Sequence, residues 1–194
     1  MSTRSALSPR VAGLGVCALL AMFIVPSAAA AQQPLSPVQI EAERSASENA
    51  RADTLEEWAR ALYSTPSRIR EAAQLHQRAA MIRGNDVRAV ASYRSAAWAY
   101  SAAGNNGLAT KLMVKAAEQA AMAGRIEEAA NAYVDAALIA VADNREDKVP
   151  TLLTRMHAVL SAPLLPDDRR AKILERIESN SRVAELDPGQ RVEP

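Results

Sequence analysis

Three glycines stand at equal intervals of twenty residues in the middle of the chain: Gly84, Gly104 and Gly124. At offsets of five, nine and twelve residues after each glycine, the chain holds an alanine, a large side chain and a second alanine. Steps of four and three residues return to one face of a helix, so the pattern predicts helices that pack closely through small side chains. The three sets are Ala89, Tyr93, Ala96; Ala109, Met113, Ala116; and Ala129, Tyr133, Ala136.

The same glycines predict where the helices end. A glycine just past a helix adopts the left-handed backbone conformation at no steric cost. The asparagines that follow, Asn85 and Asn105, can cap the next helix through their side-chain oxygens. Because a short turn makes neighbouring helices antiparallel, we expect an all-α fold of helical hairpins, stacked as a short α-solenoid of about six to seven helices.

The first 31 residues have the pattern of a secretory signal peptide. Two arginines precede an uncharged apolar run over residues 11–25, and small residues lead up to Ala31. The run is shorter than the roughly 20 residues that a membrane-spanning helix needs, so the pattern predicts cleavage after Ala31 and export to the periplasm or the extracellular space. No stable membrane span would remain. An uncleaved N-terminal anchor is the alternative.

The rest of the chain divides into three parts. Residues 32–64 form a short linker and a long N-terminal helix, with a polar first half and a packing face in its second half that includes Trp58. Residues 65–178 form the helical repeat domain, whose first hairpin could begin near residue 55. Residues 179–194 are polar and contain two prolines, which is typical of a disordered tail.

A finer pattern of large and small residues recurs from one helix pair to the next. It occupies Tyr93, Ala96, Ala97, Tyr100, Gly104, Ala109, Met113 and Ala116, then Tyr133, Ala136, Ala137, Ala140, Asn144, Val149, Leu153 and Met156, and less completely Ala59, Tyr63, Ala72, His76 and Ala79. This pattern resembles the tetratricopeptide-repeat (TPR) family of helical hairpins over residues 55–163. The copies are 37 and 40 residues apart, against about 34 in the family, which predicts longer helices.

The resemblance implies a site for a partner. In that family, one face of the first helix of each hairpin lines a groove that takes peptides. The corresponding positions here are Arg94, Trp98 and Ser101, and forty residues further on Val134, Leu138 and Val141. These six residues are the candidate groove, and another protein or a peptide is the expected partner. Trp98 could instead be an ordinary core residue.

Side chains that could carry chemistry have structural explanations. The two histidines, His76 and His157, fall on separate helices without cysteine or aspartate at metal-ligand spacing. The acidic pairs Glu146–Asp147 and Asp167–Asp168 begin helices, where carboxylates interact favourably with the helix dipole. A net charge of +1 gives no attraction to nucleic acid.

The sequence therefore predicts a non-catalytic interaction module of the cell envelope with no catalytic residue, metal or cofactor. Two alternatives stay open: a carrier that holds a small apolar ligand between its helices, and a structural protein that self-associates.

Overall fold

The computed structural model describes residues 36–163 and 165–189, and these residues form α-helices and short 3₁₀-helices without a strand among them. The expected signal peptide and its cleavage at Ala31 lie outside this part of the chain. Short 3₁₀-helices, Pro66–Arg68 and Glu146–Lys148, precede the second and sixth α-helices. The α-helices are α1 (Pro37–Tyr63), α2 (Ile69–Arg83), α3 (Arg88–Ala102), α4 (Asn106–Met122), α5 (Ile126–Ala142), α6 (Val149–Leu160), α7 (Asp167–Glu178) and α8 (Ser181–Glu185).

Helices that follow one another in the sequence also pack against one another in space. Each of α1 to α5 makes its most extensive contacts with its sequence neighbours, and α5 contacts α6 in the same way. Tight turns join most of them, so the pairs α1–α2, α3–α4 and α5–α6 are hairpins that stack in order. The predicted all-α fold of stacked helical hairpins is confirmed.

The glycine series marks helix ends. Gly84, Gly104 and Gly124 have φ angles of 57°, 75° and 71°. Asn144 continues the series at the same interval, with a φ of 55°. Asparagine is one of the few residues other than glycine that tolerates this backbone region, because its short polar side chain can form local hydrogen bonds. The twenty-residue interval therefore reaches one turn further than the glycines alone show.

The main core runs from α2 to α8, and alanine is its commonest residue. Small side chains let the helix axes approach closely, and larger ones fill the remaining space. Met113, Leu153 and Met156 are each fully buried in this way. A smaller cluster joins Ala52 and Leu55 of α1 to α2. The face of α1 that packs is therefore a stripe of alanine and leucine.

Two expectations differ from the structure. Trp58 was expected on the packing face of α1, but 59% of its surface is exposed because the buried stripe falls on neighbouring positions. The tail was expected to be disordered from residue 179, but α8 forms and Val183 is fully buried. The Asn180 side chain caps α8 by accepting a hydrogen bond of 3.1 Å from the Val183 amide. Burial of Val183 and the Asn180 cap both help to order this polar segment.

Candidate functional site

The six residues of the candidate groove do not form one open surface. On α3, Trp98 is 42% exposed, and Arg94 and Ser101 are half-buried. On α5, Val134 is fully buried, Val141 is 8% exposed and Leu138 is half-buried. Two of the three α5 positions therefore belong to the core, and the expectation of a groove that continues from α3 onto α5 is wrong.

The C-terminal helices explain why α5 is enclosed. Both α7 and α8 pack against α5, in addition to its neighbours α4 and α6. From α7, Ile173 is 2% exposed and Ile177 is fully buried in the main core. The segment after the last hairpin thus covers a helix face that the sequence pattern had suggested for a partner.

A buried carboxylate fixes this arrangement. Asp135 of α5 is 2% exposed. Its Oδ2 accepts a hydrogen bond of 3.2 Å from Arg94 of α3, and its Oδ1 accepts one of 2.7 Å from Arg176 of α7. Asp135 therefore links three helices. It also binds the guanidinium of Arg94, which was predicted to line the groove.

Two further polar residues of α5 lie in line with Asp135. Glu127 forms an ion pair with Arg169 of α7, and Asn131 accepts a hydrogen bond from Arg176. Residues 127, 131 and 135 are spaced by four, so they form one polar line along α5 that faces α7. Sequence reasoning missed this line, although polar residues at helical spacing in a largely apolar helix were the available signal.

A second buried polar group joins α1, α2 and α3. The Arg83 side chain is 4% exposed and donates hydrogen bonds to Asp53 and Glu56 of α1 and to Ser92 of α3. Burial alone would raise the pKa of Glu56, but the hydrogen bonds from Arg83 and Ser92 outweigh it and hold that pKa below its ordinary value of 4.5. This group anchors the second half of α1 to the stack.

The histidines take part in packing contacts. His76 of α2 is 6% exposed, and its Nδ1 has no hydrogen-bond partner in the described residues. Burial lowers its pKa below 6.5, with partial compensation from Glu56. His157 Nε2 lies 2.8 Å from Oδ1 of buried Asp187, which holds the segment after α8 against α6. Within residues 36–163 and 165–189, no three acidic, cysteine or histidine side chains are grouped as metal ligands.

The first half of α1 is the most exposed ordered segment. From Pro37 to Arg51 every side chain that the structure describes is exposed, apart from a half-buried Asn49. Val38 is 79% exposed and Ile40 is 55% exposed. This half-helix is thus in contact with water on nearly all sides.

No model of a known protein family matches the chain, and no curated protein matches it. None of the helices between residues 36 and 189 combines the length and the apolar character that crossing a bilayer requires.

Proposed function

We propose that this protein is an exported, non-catalytic interaction module that binds another protein or a peptide. The observation that carries the proposal is the exposed first half of α1. Isolated helices of fewer than about 12–15 residues are marginal in water, and helices in proteins gain most of their stability from packing an apolar face. Residues 37–51 pack no such face against the part of the chain that the structure describes, so a partner that covers them would supply the missing packing.

The exposed side chains of this half-helix suit a protein partner. Val38 and Ile40 offer apolar area, and the charged residues that follow carry both signs, with an Arg44–Glu48 ion pair of 3.3 Å between them. A mixed surface of this kind matches the apolar centre and polar rim of ordinary protein interfaces. It does not match the strongly basic surface that nucleic acid would require.

A second surface is available on α3. Trp98 exposes 42% of its area, and tryptophan is among the residues that contribute most to binding at protein interfaces. This surface is smaller than the candidate groove, because α7 and α8 occupy the α5 side. The resemblance to TPR hairpins supports the same class of function, and the N-terminal apolar run supports export.

The carrier alternative receives no support from the packing. Met113, Leu153 and Met156 fill the space between the hairpins at which an apolar ligand would have to enter. The self-association alternative uses the same half of α1 as the leading proposal, so one set of variants tests both.

Export and binding are tested separately. Mass spectrometry of the protein recovered from the envelope fraction should give an N-terminus at Gln32, whereas an intact N-terminus would favour the anchor. For binding, the purified protein is immobilised and exposed to envelope extract, and the captured proteins are compared between variants.

The decisive comparison is between two double variants, each of which replaces two exposed apolar side chains with glutamate at a different part of the surface. Val38→Glu with Ile40→Glu should abolish capture of the specific partner. Met81→Glu with Met122→Glu alters two exposed apolar side chains of α2 and α4 and should leave capture unchanged. Met81 is 62% exposed and Met122 is 75% exposed. Equal capture by both double variants would remove the α1 surface from the proposal, and Trp98→Ala then tests α3.

Light scattering on the same proteins addresses self-association. A mass that rises with concentration, and falls back to the monomer in the Val38→Glu, Ile40→Glu variant, would replace the partner proposal with a self-associating structural protein.

A further inference from the structure

A basic cleft of about 410 Å³ runs between α4 and α6, on helices that the proposed function does not use. Each of these helices is antiparallel to α5, so they are parallel to each other. They line the cleft from pairs of positions 41 residues apart, such as Thr110 with Thr151 and Lys111 with Leu152. The volume is within the range of roughly 300–1,000 Å³ that is typical of small-molecule sites.

The charged residues that line this cleft are all cations. They are Lys111 of α4, Arg145 and Lys148 of the turn before α6, and Arg155 of α6. Among the described residues, no carboxylate lines it. The chain as a whole has a net charge of only +1, so four cations around one cleft are a local concentration of charge.

Two of these cations already have partners. Lys148 Nζ lies 3.0 Å from Asp147, and Arg155 Nη1 lies 3.0 Å from Glu118, with all four side chains about half exposed or more. The other two cations, Lys111 and Arg145, form no ion pair with any carboxylate in the described part of the chain. The cleft therefore has an excess of about two positive charges, which matches a dianion.

A glycine shapes the wall beside Arg145. A Cβ placed on Gly107 would lie 3.2 Å from Nη1 of Arg145, so the guanidinium rests against the first turn of α4 where a side chain is missing. Gly107 permits Arg145 to lie over the start of α4.

Both helices begin at the same end of the cleft. The first residue of α4 is Asn106 and that of α6 is Val149. The helix dipole favours negative charge at this end. The amides themselves contribute little, because the Leu108 amide already donates to Asn105, the Val149 amide donates to the Glu146 carbonyl, and Pro150 has no amide hydrogen. Further along, Val114 and buried Leu152 provide an apolar wall.

We propose that this cleft binds the phosphate group of a phosphorylated small molecule or of an anionic lipid headgroup. Two unpaired cations match the charge of a phosphate monoester, and the guanidinium of Arg145 can donate two parallel hydrogen bonds to its oxygens. The Val114 and Leu152 wall would contact the organic part. The proposal does not depend on the proposed binding of a protein by α1.

Calorimetry and vesicle binding test the proposal on the purified protein. The soluble probes are inorganic phosphate and glycerol 3-phosphate, with sodium chloride at equal ionic strength as the reference. The membrane probes are vesicles of phosphatidylcholine alone or mixed equally with phosphatidylglycerol, which are sedimented with the protein.

Three variants locate any binding. Lys111→Gln with Arg145→Gln should weaken binding by about tenfold or more, because each charge-assisted hydrogen bond is among the strong ones. Arg78→Gln with Lys172→Gln removes the same charges from exposed positions outside the cleft and should change affinity by less than about twofold. Gly107→Ala keeps every charge and requires the Arg145 guanidinium to move by only a few tenths of an ångström, so it should leave the affinity nearly unchanged.

The outcomes separate the two sources of phosphate. Binding of glycerol 3-phosphate that the Lys111→Gln, Arg145→Gln variant loses supports a soluble phosphate ester. Sedimentation with phosphatidylglycerol vesicles that the same variant loses, without binding of the soluble probes, supports a headgroup. Absence of both, or equal loss in the Arg78→Gln, Lys172→Gln control, overturns the proposal.

Discussion

Asp135 of α5 accepts a 2.7 Å hydrogen bond from Arg176 of α7, and only 3% of the carboxylate side chain reaches solvent. The pair spans 41 residues of sequence and joins α7 to the last hairpin. Arg94 of α3 holds the other carboxylate oxygen at 3.2 Å. One buried acid thus links three helices at the point where α7 covers α5.

Removal of that carboxylate should loosen the C-terminal helices. We expect Asp135→Ala to lower the free energy of unfolding by about 2 kcal/mol, because two arginines lose a buried partner, although both can turn toward water. The variant should also increase the rate of amide hydrogen exchange more in α7 than in α2. Urea unfolding and exchange mass spectrometry measure the two effects.

The matched control for this change is Glu118→Ala. It breaks the Arg155–Glu118 pair, in which both side chains are about half exposed, and should cost less than about 0.5 kcal/mol. If the two variants unfold at the same urea concentration, Asp135 is not the residue that holds α7.

The Arg83–Glu56 pair should make the free energy of unfolding depend on pH in the acid range. The folded-state pKa of Glu56 lies below its ordinary 4.5, so its contribution is present above pH 4.5 and is lost as pH falls through the folded value. We expect Glu56→Gln to be destabilised at neutral pH by about 2 kcal/mol, since Arg83 stays buried with a weaker acceptor. This deficit should shrink below pH 4.5. Urea unfolding of both proteins over that range is the measurement, and a constant deficit would contradict it.

His76 should produce a pH dependence that begins nearer neutrality. Burial lowers its folded-state pKa below 6.5, so the unfolded chain binds the proton first and the folded state loses stability as pH falls from 6.5 toward the folded value. His76→Met places the side chain found at the equivalent Met113 and removes the unpaired Nδ1. We expect this variant to be about 1 kcal/mol more stable at neutral pH.

The advantage of His76→Met should grow as the solution is acidified below pH 6.5, because the variant has no proton to bind at this position. Thermal or urea unfolding of wild type and variant at matched pH values measures it. A difference that is the same at all pH values would mean that His76 does not titrate differently in the two states.

The turn residues should respond in opposite directions to substitution. Gly104→Ala and Gly124→Ala should each cost about 1 kcal/mol, since a side chain is disfavoured at positive φ. No atom lies within 4 Å of a Cβ added at either position, so the cost is that of the backbone conformation alone. Asn144→Gly should stabilise by about 0.5 kcal/mol, since glycine adopts the same conformation at no steric cost. Chemical unfolding of the three variants tests the signs.

The sequence predicted best what depends on local geometry. Gly84, Gly104 and Gly124 mark helix ends because their conformation is set by residues a few positions away. The alanine stripe predicted hairpins because neighbours in sequence pack as neighbours in space. The second half of α1 shows the limit, because Trp58 and Leu55 look alike as apolar helix residues and only the packed helix tells which is exposed.

The enclosure of α5 could not be predicted by the same route. The apolar positions of α7, Ile173 and Ile177, show that it packs, but nothing local tells on which helix. That choice rests on long-range pairs such as Asp135 with Arg176. When the placement of α7 on α5 is not known, Val134 and Val141 resemble the lining of an open groove.

The position of α7 and α8 also limits how the molecule could grow. Tandem arrays lengthen when an extra unit docks on the outer flank of the last one, and here α7 and α8 already lie against α5. A fourth hairpin appended after α6 would have to displace them. Duplication of a forty-residue unit between Gly84 and Gly124 would instead join two identical turns, which makes the interior of the stack the easier place for an engineered insertion.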